Sequence, residues 1–170
     1  MCTPSVRALR HHYPETEITF IVSDYACDAL RYNLNIDKIV IYPRDLSFFK
    51  YIVFLSSLMK SRYDVLIDFQ NNPRSYIMSM IIRSRIKIAF SGKRRNLGYN
   101  YLVKKPELDI YAGISKLKLL TPLGIYEEKD HLPEMPFSEK DKTAAMATLA
   151  ELNYSDRQPK ISISPVTKKG

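Results

Sequence analysis

A polar, cationic turn follows an apolar segment of the sequence. Residues 65–69 read VLIDF, and Gln70-Asn71-Asn72-Pro73-Arg74 comes directly after them. Amide side chains donate and accept hydrogen bonds, and a guanidinium at a helix start suits phosphate or carboxylate. Ligands of open α/β sheets bind beyond the carboxyl ends of the strands. We therefore predict a binding site for an anionic group at Gln70, Asn71 and Arg74, the alternative being a polar turn with a solvated arginine.

A second basic turn, Lys93-Arg94-Arg95, follows the next apolar segment, IAF, which ends at Phe90. The carboxyl ends of parallel strands meet at one edge of a sheet, so this turn is expected beside the first one. Arg94 and Arg95 are therefore predicted to line the same cleft as Arg74. The alternative is that these charges form a solvated face.

Two carboxylates, Asp64 and Asp68, lie four residues apart around VLIDF, on the same face of a strand. They are candidates for an acid/base pair. We favour a structural reading, in which Asp64 occupies the turn before the strand and Asp68 serves as a hydrogen-bonding group near its end.

The elements that position these residues alternate along the chain. Short apolar runs, rich in β-branched residues and apolar on both faces, are typical of central parallel strands. They predict strands at 18–22, 39–42, 65–69 and 86–90, and helices at 4–13, 25–32, 46–62 and 74–83. This alternation predicts an α/β fold with a doubly wound, mainly parallel sheet.

The boundaries of several elements have local signals. Thr3-Pro4 has the form of a helix N-cap followed by proline at the first helical position. Residues 91–109 are predicted to be irregular, and a helix after them is expected to close at Gly124. Ser138 is predicted to cap another helix, and 160–164 to begin a further strand.

Composition restricts the class of protein. The chain has 170 residues, a net charge of +8 and 45% hydrophobic residues, enough for one domain with a core and too apolar for disorder. No apolar stretch is long enough to span a bilayer, and the first residues do not read as a secretory signal. Two cysteines and three histidines predict no metal site or disulfide framework, and the positive charge favours an anionic partner.

The segment FFKYIVFLSSLMK, residues 48–60, is apolar on most of its surface. We expect it to be buried against the sheet, with contact to a membrane surface as the alternative. The chain opens on a helix and stops shortly after a new strand, whereas doubly wound folds begin with a central strand. We therefore expect the sequence to be a piece of a longer, two-domain protein.

Several segments, in order, resemble the ADP-heptose:lipopolysaccharide heptosyltransferase family, glycosyltransferase family 9. They are TPSVRALRHHYPETEITFIVS, YDVLIDFQNNPRS, RIKIAFSGKRRNLGYN, YAGISKLKLLTPLGI and PKISISP. The family has two Rossmann-like domains in the GT-B arrangement. The resemblance implies that residues 1–155 form the acceptor-side domain without its first strand, and that 156–170 begin the nucleotide-sugar domain.

The family motif written DxQGxxRS is similar to residues 68–75, with Asn71 in place of glycine. Asparagine tolerates a left-handed conformation well, so the turn is expected to persist. The resemblance implies acceptor binding by Gln70, Asn71, Arg74, Arg94 and Arg95, and donor-phosphate binding by Thr167 and Lys168. The family's presumed general base would fall before Met1, so no catalytic residue is assigned and the isolated chain is expected to be inactive.

The resemblance implies an inverting transfer of heptose from ADP-heptose to the lipopolysaccharide inner core, at the cytosolic surface of the inner membrane. It implies no metal or other cofactor and no nucleic-acid partner. Two alternatives stay open. One is the same family with a different nucleotide sugar, and the other is a non-enzymatic basic α/β module that binds nucleic acid.

Overall fold

The computed structural model describes residues 2–42, 47–92, 96–106, 111–126 and 132–151. The chain divides into two units, residues 1–136 and 137–170. Within the described part of the second unit lies one helix, Glu139–Glu151. The predicted strand at 160–164 is outside the described residues, as are Arg94, Arg95, Thr167 and Lys168.

Strands and helices alternate along the described part of the first unit. The strands are β1 Thr19–Ser23, β2 Lys38–Tyr42, β3 Arg62–Asp68, β4 Arg83–Phe90 and β5 Tyr101–Val103. The helices are α1 Thr3–His12, α2 Asp24–Cys27, α3 Phe48–Lys60, α4 Pro73–Ile81 and α5 Ala112–Leu117, and the helix of the second unit is α6. Short 3₁₀ segments extend α2 over Asp28–Leu30 and α5 over Lys118–Leu123.

All strand pairs described are parallel. β1 pairs with β2, with Ile21 opposite Val40, while β3, β4 and β5 form a second sheet in that order, with Ile67 opposite Ile88. Among the described residues, no strand pair joins β1 to β3. The predicted parallel α/β architecture is confirmed.

The two faces of the β3–β4 pair are covered by different elements. Ile67 and Ile88 belong to a cluster with Leu119, which follows α5 and is fully buried. On the other face, Lys87 donates a hydrogen bond to the Ser79 carbonyl of α4, 2.5 Å away. α4 in turn packs against α3, and α1 packs against α5. Helices therefore lie on both faces, as a doubly wound fold requires.

Local signals are confirmed in part. Gly124 ends the segment after α5 in the left-handed conformation, with φ of 80°. Thr3 is not the N-cap of α1 as predicted, because the helix already includes Thr3 and Cys2 occupies the cap. The Thr3 hydroxyl instead accepts a hydrogen bond from the backbone N–H of Glu134. The region 91–109, predicted to be irregular, contains β5, which is fixed by pairing with β4.

Helix α3 departs from its predicted burial. Leu58 is 5% exposed, but Val53 is 66% exposed on the other side of the same helix. Burial against the rest of the fold is therefore right for one face only. No helix in the described part of the chain is long and apolar enough to cross a membrane.

Candidate functional site at the carboxyl edge of the sheet

Asp68, the last residue of β3, organises the turn that follows it. One of its carboxylate oxygens accepts hydrogen bonds from the backbone N–H groups of Gln70 and Asn71, at 3.0 and 2.8 Å. The other oxygen accepts from the Tyr99 hydroxyl at 2.7 Å. Asp68 is 6% exposed. Its carboxylate is therefore a structural hydrogen-bonding group, as expected from the sequence. Asp64 is exposed but lies within β3, which begins at Arg62, and not in the turn before the strand as predicted.

Asn71 has the left-handed backbone conformation expected from the glycine of the similar motif. Its φ is +46°, and its side-chain amide donates to the carbonyl of Phe90, the last residue of β4, at 2.6 Å. Asparagine tolerates positive φ because its short polar side chain can hydrogen-bond locally. Asn71 therefore joins the turn to the end of the neighbouring strand and is buried rather than presented to a ligand.

The start of α4 is closed by a reciprocal cap. The Asn72 side chain accepts from the Ser75 backbone N–H at 2.9 Å, and the Ser75 hydroxyl accepts from the Asn72 backbone N–H at 3.0 Å. Pro73 then occupies the first helical turn, where its missing N–H carries no cost. The direction in which α4 leaves the sheet is thus set by local sequence.

Two of the predicted binding residues, Gln70 and Arg74, are exposed on this fixed turn. The Gln70 side-chain oxygen accepts a hydrogen bond from the Asn72 amide at 2.6 Å. Arg74 stands in the first turn of α4, whose N-terminus carries partial positive charge. Together they form a cationic, donor-rich surface.

Lys116 of α5 is a further cation at this edge. Its ammonium donates to the Phe69 carbonyl and lies 5.3 Å from the centroid of the Phe90 ring. Burial lowers the pKa of Lys116, and the nearby Cys2 and Asp68 oppose that effect. The sequence gives no signal for this role, because Lys116 lies 47 residues from its partner and beside a stripe of core residues.

Tyr99 links the turn to α4. Its hydroxyl donates to Asp68 and accepts from the Ser79 hydroxyl at 2.8 Å. Burial raises the pKa of Tyr99, and the bond to Asp68 raises it further. The phenol therefore stays neutral and both oxygens of Asp68 remain occupied.

Cys2, at the start of α1, approaches the same edge. Burial raises the pKa of its thiol, while the positive charge of Lys116 acts in the opposite direction. Within the part of the chain that the structure describes, no cluster of histidine, cysteine or acidic residues could hold a metal ion. The described groups at this edge are thus suited to holding an anion by hydrogen bonds and cations.

The structure brings the predicted residues together only in part. Gln70, Asn71 and Arg74 share one turn, with Asn71 inside it and the other two exposed. The predicted contributions of Arg94, Arg95, Thr167 and Lys168 lie outside the described residues. Their roles stay predictions.

Solved structures share this fold. A glycosyl transferase of family 9 from Veillonella parvula DSM 2008 matches 92% of this chain with a TM-score of 0.79 and 17% sequence identity. The E. coli heptosyltransferase WaaC with ADP matches 76% with a TM-score of 0.64 and 12% identity. E. coli ADP-heptose lps heptosyltransferase II matches 93% with a TM-score of 0.58 and 14% identity.

The chain corresponds to 46%, 45% and 48% of those three proteins, so it spans about half of their length. No family model matches its sequence, and no curated protein matches it. At these identities the likeness establishes the fold. It confirms, at that level, the predicted resemblance to family 9 glycosyltransferases and their GT-B architecture.

Proposed function

We propose that this chain is the acceptor-binding half of a glycosyltransferase that moves heptose from ADP-heptose to the inner core of lipopolysaccharide. The turn at residues 68–75 carries this proposal, because it presents Gln70 and Arg74 at the edge where α/β folds bind ligands. The shared fold with family 9 enzymes supports the reaction class. Two of the structural neighbours are heptosyltransferases, which supports the choice of sugar.

The acceptor's phosphates and carboxylates are the groups that this surface fits. A guanidinium binds such groups through two parallel hydrogen bonds, and the N-terminus of α4 adds partial positive charge. In this proposal Arg94 and Arg95 extend the surface from the neighbouring loop. Thr167 and Lys168 contact the phosphates of the donor.

The reaction is an inverting displacement. An acceptor hydroxyl attacks the anomeric carbon of the heptose, a carboxylate takes the hydroxyl proton, and ADP leaves with the electron pair of the broken carbon–oxygen bond. Asp68 is not that carboxylate, because both of its oxygens already accept hydrogen bonds within the fold. We assign no base among the described residues.

A lipid-linked acceptor places the reaction at a membrane surface. We therefore propose that the enzyme works as a peripheral protein on the cytosolic side of the inner membrane. The net charge of +8 supports this location, since that surface is rich in anionic lipids.

Steady-state transfer to heptose-free lipopolysaccharide, by the whole protein that contains this chain, tests the role of Arg74. Losing one charge-assisted contact typically costs about 1.5 to 3 kcal/mol, so Arg74→Ala should lower kcat/KM for the acceptor roughly tenfold or more. Arg74→Lys should recover only part of this loss, because an ammonium cannot form the two-pronged contact. Arg31→Ala removes an exposed arginine in another region and should leave kcat/KM unchanged.

The same assay with other nucleotide sugars examines the donor. A preference for a different nucleotide sugar would change the proposed donor from ADP-heptose but leave the proposed acceptor site unchanged. Unchanged acceptor kinetics in Arg74→Ala would remove Arg74 from the site, and no transfer from any nucleotide sugar would overturn the proposed function.

A further inference from the structure

Helix α3 has two apolar faces, and only one of them is used inside the fold. On the inner face, the rings of Tyr51 and Phe54 pack against Tyr42 of β2 with centroids 6.2 and 5.5 Å apart, and Leu58 is buried. On the outer face, Val53 is 66% exposed and Ile52 46%. An exposed apolar face on an already packed helix is typical of an interaction surface.

The charge around α3 is of one sign. Lys50 and Lys60 are exposed on the helix, and Arg62 follows as the first residue of β3. No acidic residue occurs between positions 47 and 62. An amphipathic helix with lysines beside its apolar face suits the interface of an anionic bilayer.

A cluster of arginines continues this basic surface. Arg62, Arg83 and Arg85 line a shallow depression of about 520 Å³, together with one acidic residue, Asp64. Arg62 and Arg83 are opposite each other in the parallel pair β3–β4. Within the described part of the chain, no salt bridge or side-chain hydrogen bond involves these three guanidinium groups.

The arginine cluster and α3 lie on the same side of the sheet. Side chains alternate between the faces of a strand, so Arg83 and Arg85 share a face with Lys87, which contacts α4. α4 packs against α3. Lys60, at the end of α3, is also only two residues from Arg62. Lys60 and Arg62 therefore join the end of α3 to the arginine cluster.

We propose that this surface, the outer face of α3 with Arg62, Arg83 and Arg85, docks the protein onto an anionic lipid bilayer. Ile52, Val53 and Met59 enter the headgroup region, and the cations bind lipid phosphates. The inference rests on the proposed function, because it describes how the enzyme meets a lipid-linked acceptor. A bilayer is favoured over a protein partner because the surface combines apolar side chains with arginines that have no partner among the described residues, around a shallow, open depression.

Sedimentation with vesicles of the whole protein that contains this chain tests this surface. Vesicles of equimolar phosphatidylcholine and phosphatidylglycerol should bind the chain, and vesicles of phosphatidylcholine alone should bind it far less. Val53→Glu should weaken binding at least tenfold, because it replaces an apolar group with a charge repelled by the lipids. The double variant Arg83→Gln, Arg85→Gln should weaken it roughly 25-fold, at about fivefold for each cation lost.

Tyr126→Glu is the matched control. Tyr126 is 77% exposed and follows the segment packed on the opposite face of the sheet, so this variant adds the same charge elsewhere and should bind as the unmodified chain does. Circular dichroism and denaturant midpoints identify any variant that has not folded. Val53 is 66% exposed, so Val53→Glu should leave the core intact, and the arginine pair provides a second, independent readout.

Equal binding to both kinds of vesicle, no binding to either, or unchanged binding of both variants would overturn the proposal. A dimer that Val53→Glu converts to a monomer, with vesicle binding unaffected, would assign the surface to self-association instead. Transfer to a delipidated, soluble acceptor separates this inference from the proposed function: activity there without vesicle binding overturns only the docking surface, whereas vesicle binding without any transfer overturns only the enzyme.

Discussion

The turn at residues 68–75 and the outer surface of α3 use polar groups in opposite ways. In the turn, the side chains of Asp68, Asn71 and Asn72 form hydrogen bonds with backbone groups of the same molecule, and these bonds fix the shape of the turn. On the α3 surface, the arginines at Arg62 and Arg83 have no such partners among the described residues and are left to solvent. Polar residues of the first kind stabilise the structure of a site, whereas those of the second kind are available to bind a partner outside the protein.

The cations of this chain likewise serve two different purposes. The chain carries +8, yet Lys116 holds a carbonyl at the end of β3 while Arg74 is exposed on the turn beside it. Substitutions in the turn should therefore change stability, and substitutions on the exposed surface should change binding.

Replacing Asp68 should have the largest effect. Asp68→Ala leaves two backbone N–H groups and the Tyr99 hydroxyl without their acceptor in a buried position, so the free energy of unfolding should fall by about 2 to 4 kcal/mol. Asp68→Asn keeps one acceptor oxygen and should cost less than half as much. Chemical denaturation measures both. A loss below about 1 kcal/mol in Asp68→Ala would show that the turn is not held by this side chain.

Asn71 comes next, and two substitutions separate its two roles. Asn71→Ala loses the bond to the Phe90 carbonyl and strains the left-handed backbone, which should cost about 2 kcal/mol. Asn71→Gly loses the same bond but relieves the backbone, so its cost should stay within about 1 kcal/mol. The denaturation midpoints of the two variants give the comparison. Equal losses would mean that the backbone conformation contributes nothing.

Replacing Asp37 should change the free energy of unfolding least, since its hydrogen-bonded carboxylate is open to solvent. It accepts from the Ile18 backbone N–H at 2.6 Å and from Arg10 at 2.5 Å, and these bonds lower the pKa of Asp37. The ionised form is thus favoured by folding, so its contribution is present above the unfolded pKa of about 3.9 and is lost as pH falls through the lower folded value.

Asp37→Asn should therefore be less stable than the unmodified chain at neutral pH, by less than Asp68→Ala because solvent screens the exposed pair. The difference should shrink in acid. Denaturation midpoints across this pH range measure it. A difference that stays constant with pH would show that the hydrogen-bond geometry matters and the charge does not.

The sequence predicts the larger elements of the fold well. Parallel strands buried on both faces leave continuous apolar runs, and β1 and β4 overlap the predicted runs at 18–22 and 86–90. It does not predict β5, Tyr101–Val103, because three residues carry no periodicity and the strand exists through pairing with β4. It also places the start of α1 one residue late, since Thr3 makes its hydrogen bond with the distant Glu134.

Some residues of the candidate site can likewise be predicted from the sequence, and others cannot. The conformation of Asn71 follows from the similarity to a glycine-containing motif, and Asp68 accepts from the backbone N–H groups of Gln70 and Asn71 directly after it, so both can be predicted from local sequence. Lys116 and Tyr99 do not, because their partners are 47 and 31 residues away in sequence. Which face of α3 is exposed is likewise a tertiary property that the helix's own apolar pattern cannot specify.

The reciprocal cap of Asn72 and Ser75 has a consequence for the entropy of ligand binding. Ordering a loop residue costs about 1 to 2 kcal/mol in backbone entropy alone. Here the backbone between Asp68 and Ser75 is already ordered when the chain folds, so an anion arriving at Arg74 would have only the arginine's own rotamers to restrict. A small anionic group can thus be bound by few contacts, because the backbone entropy of the turn has already been lost during folding and is not lost again on binding.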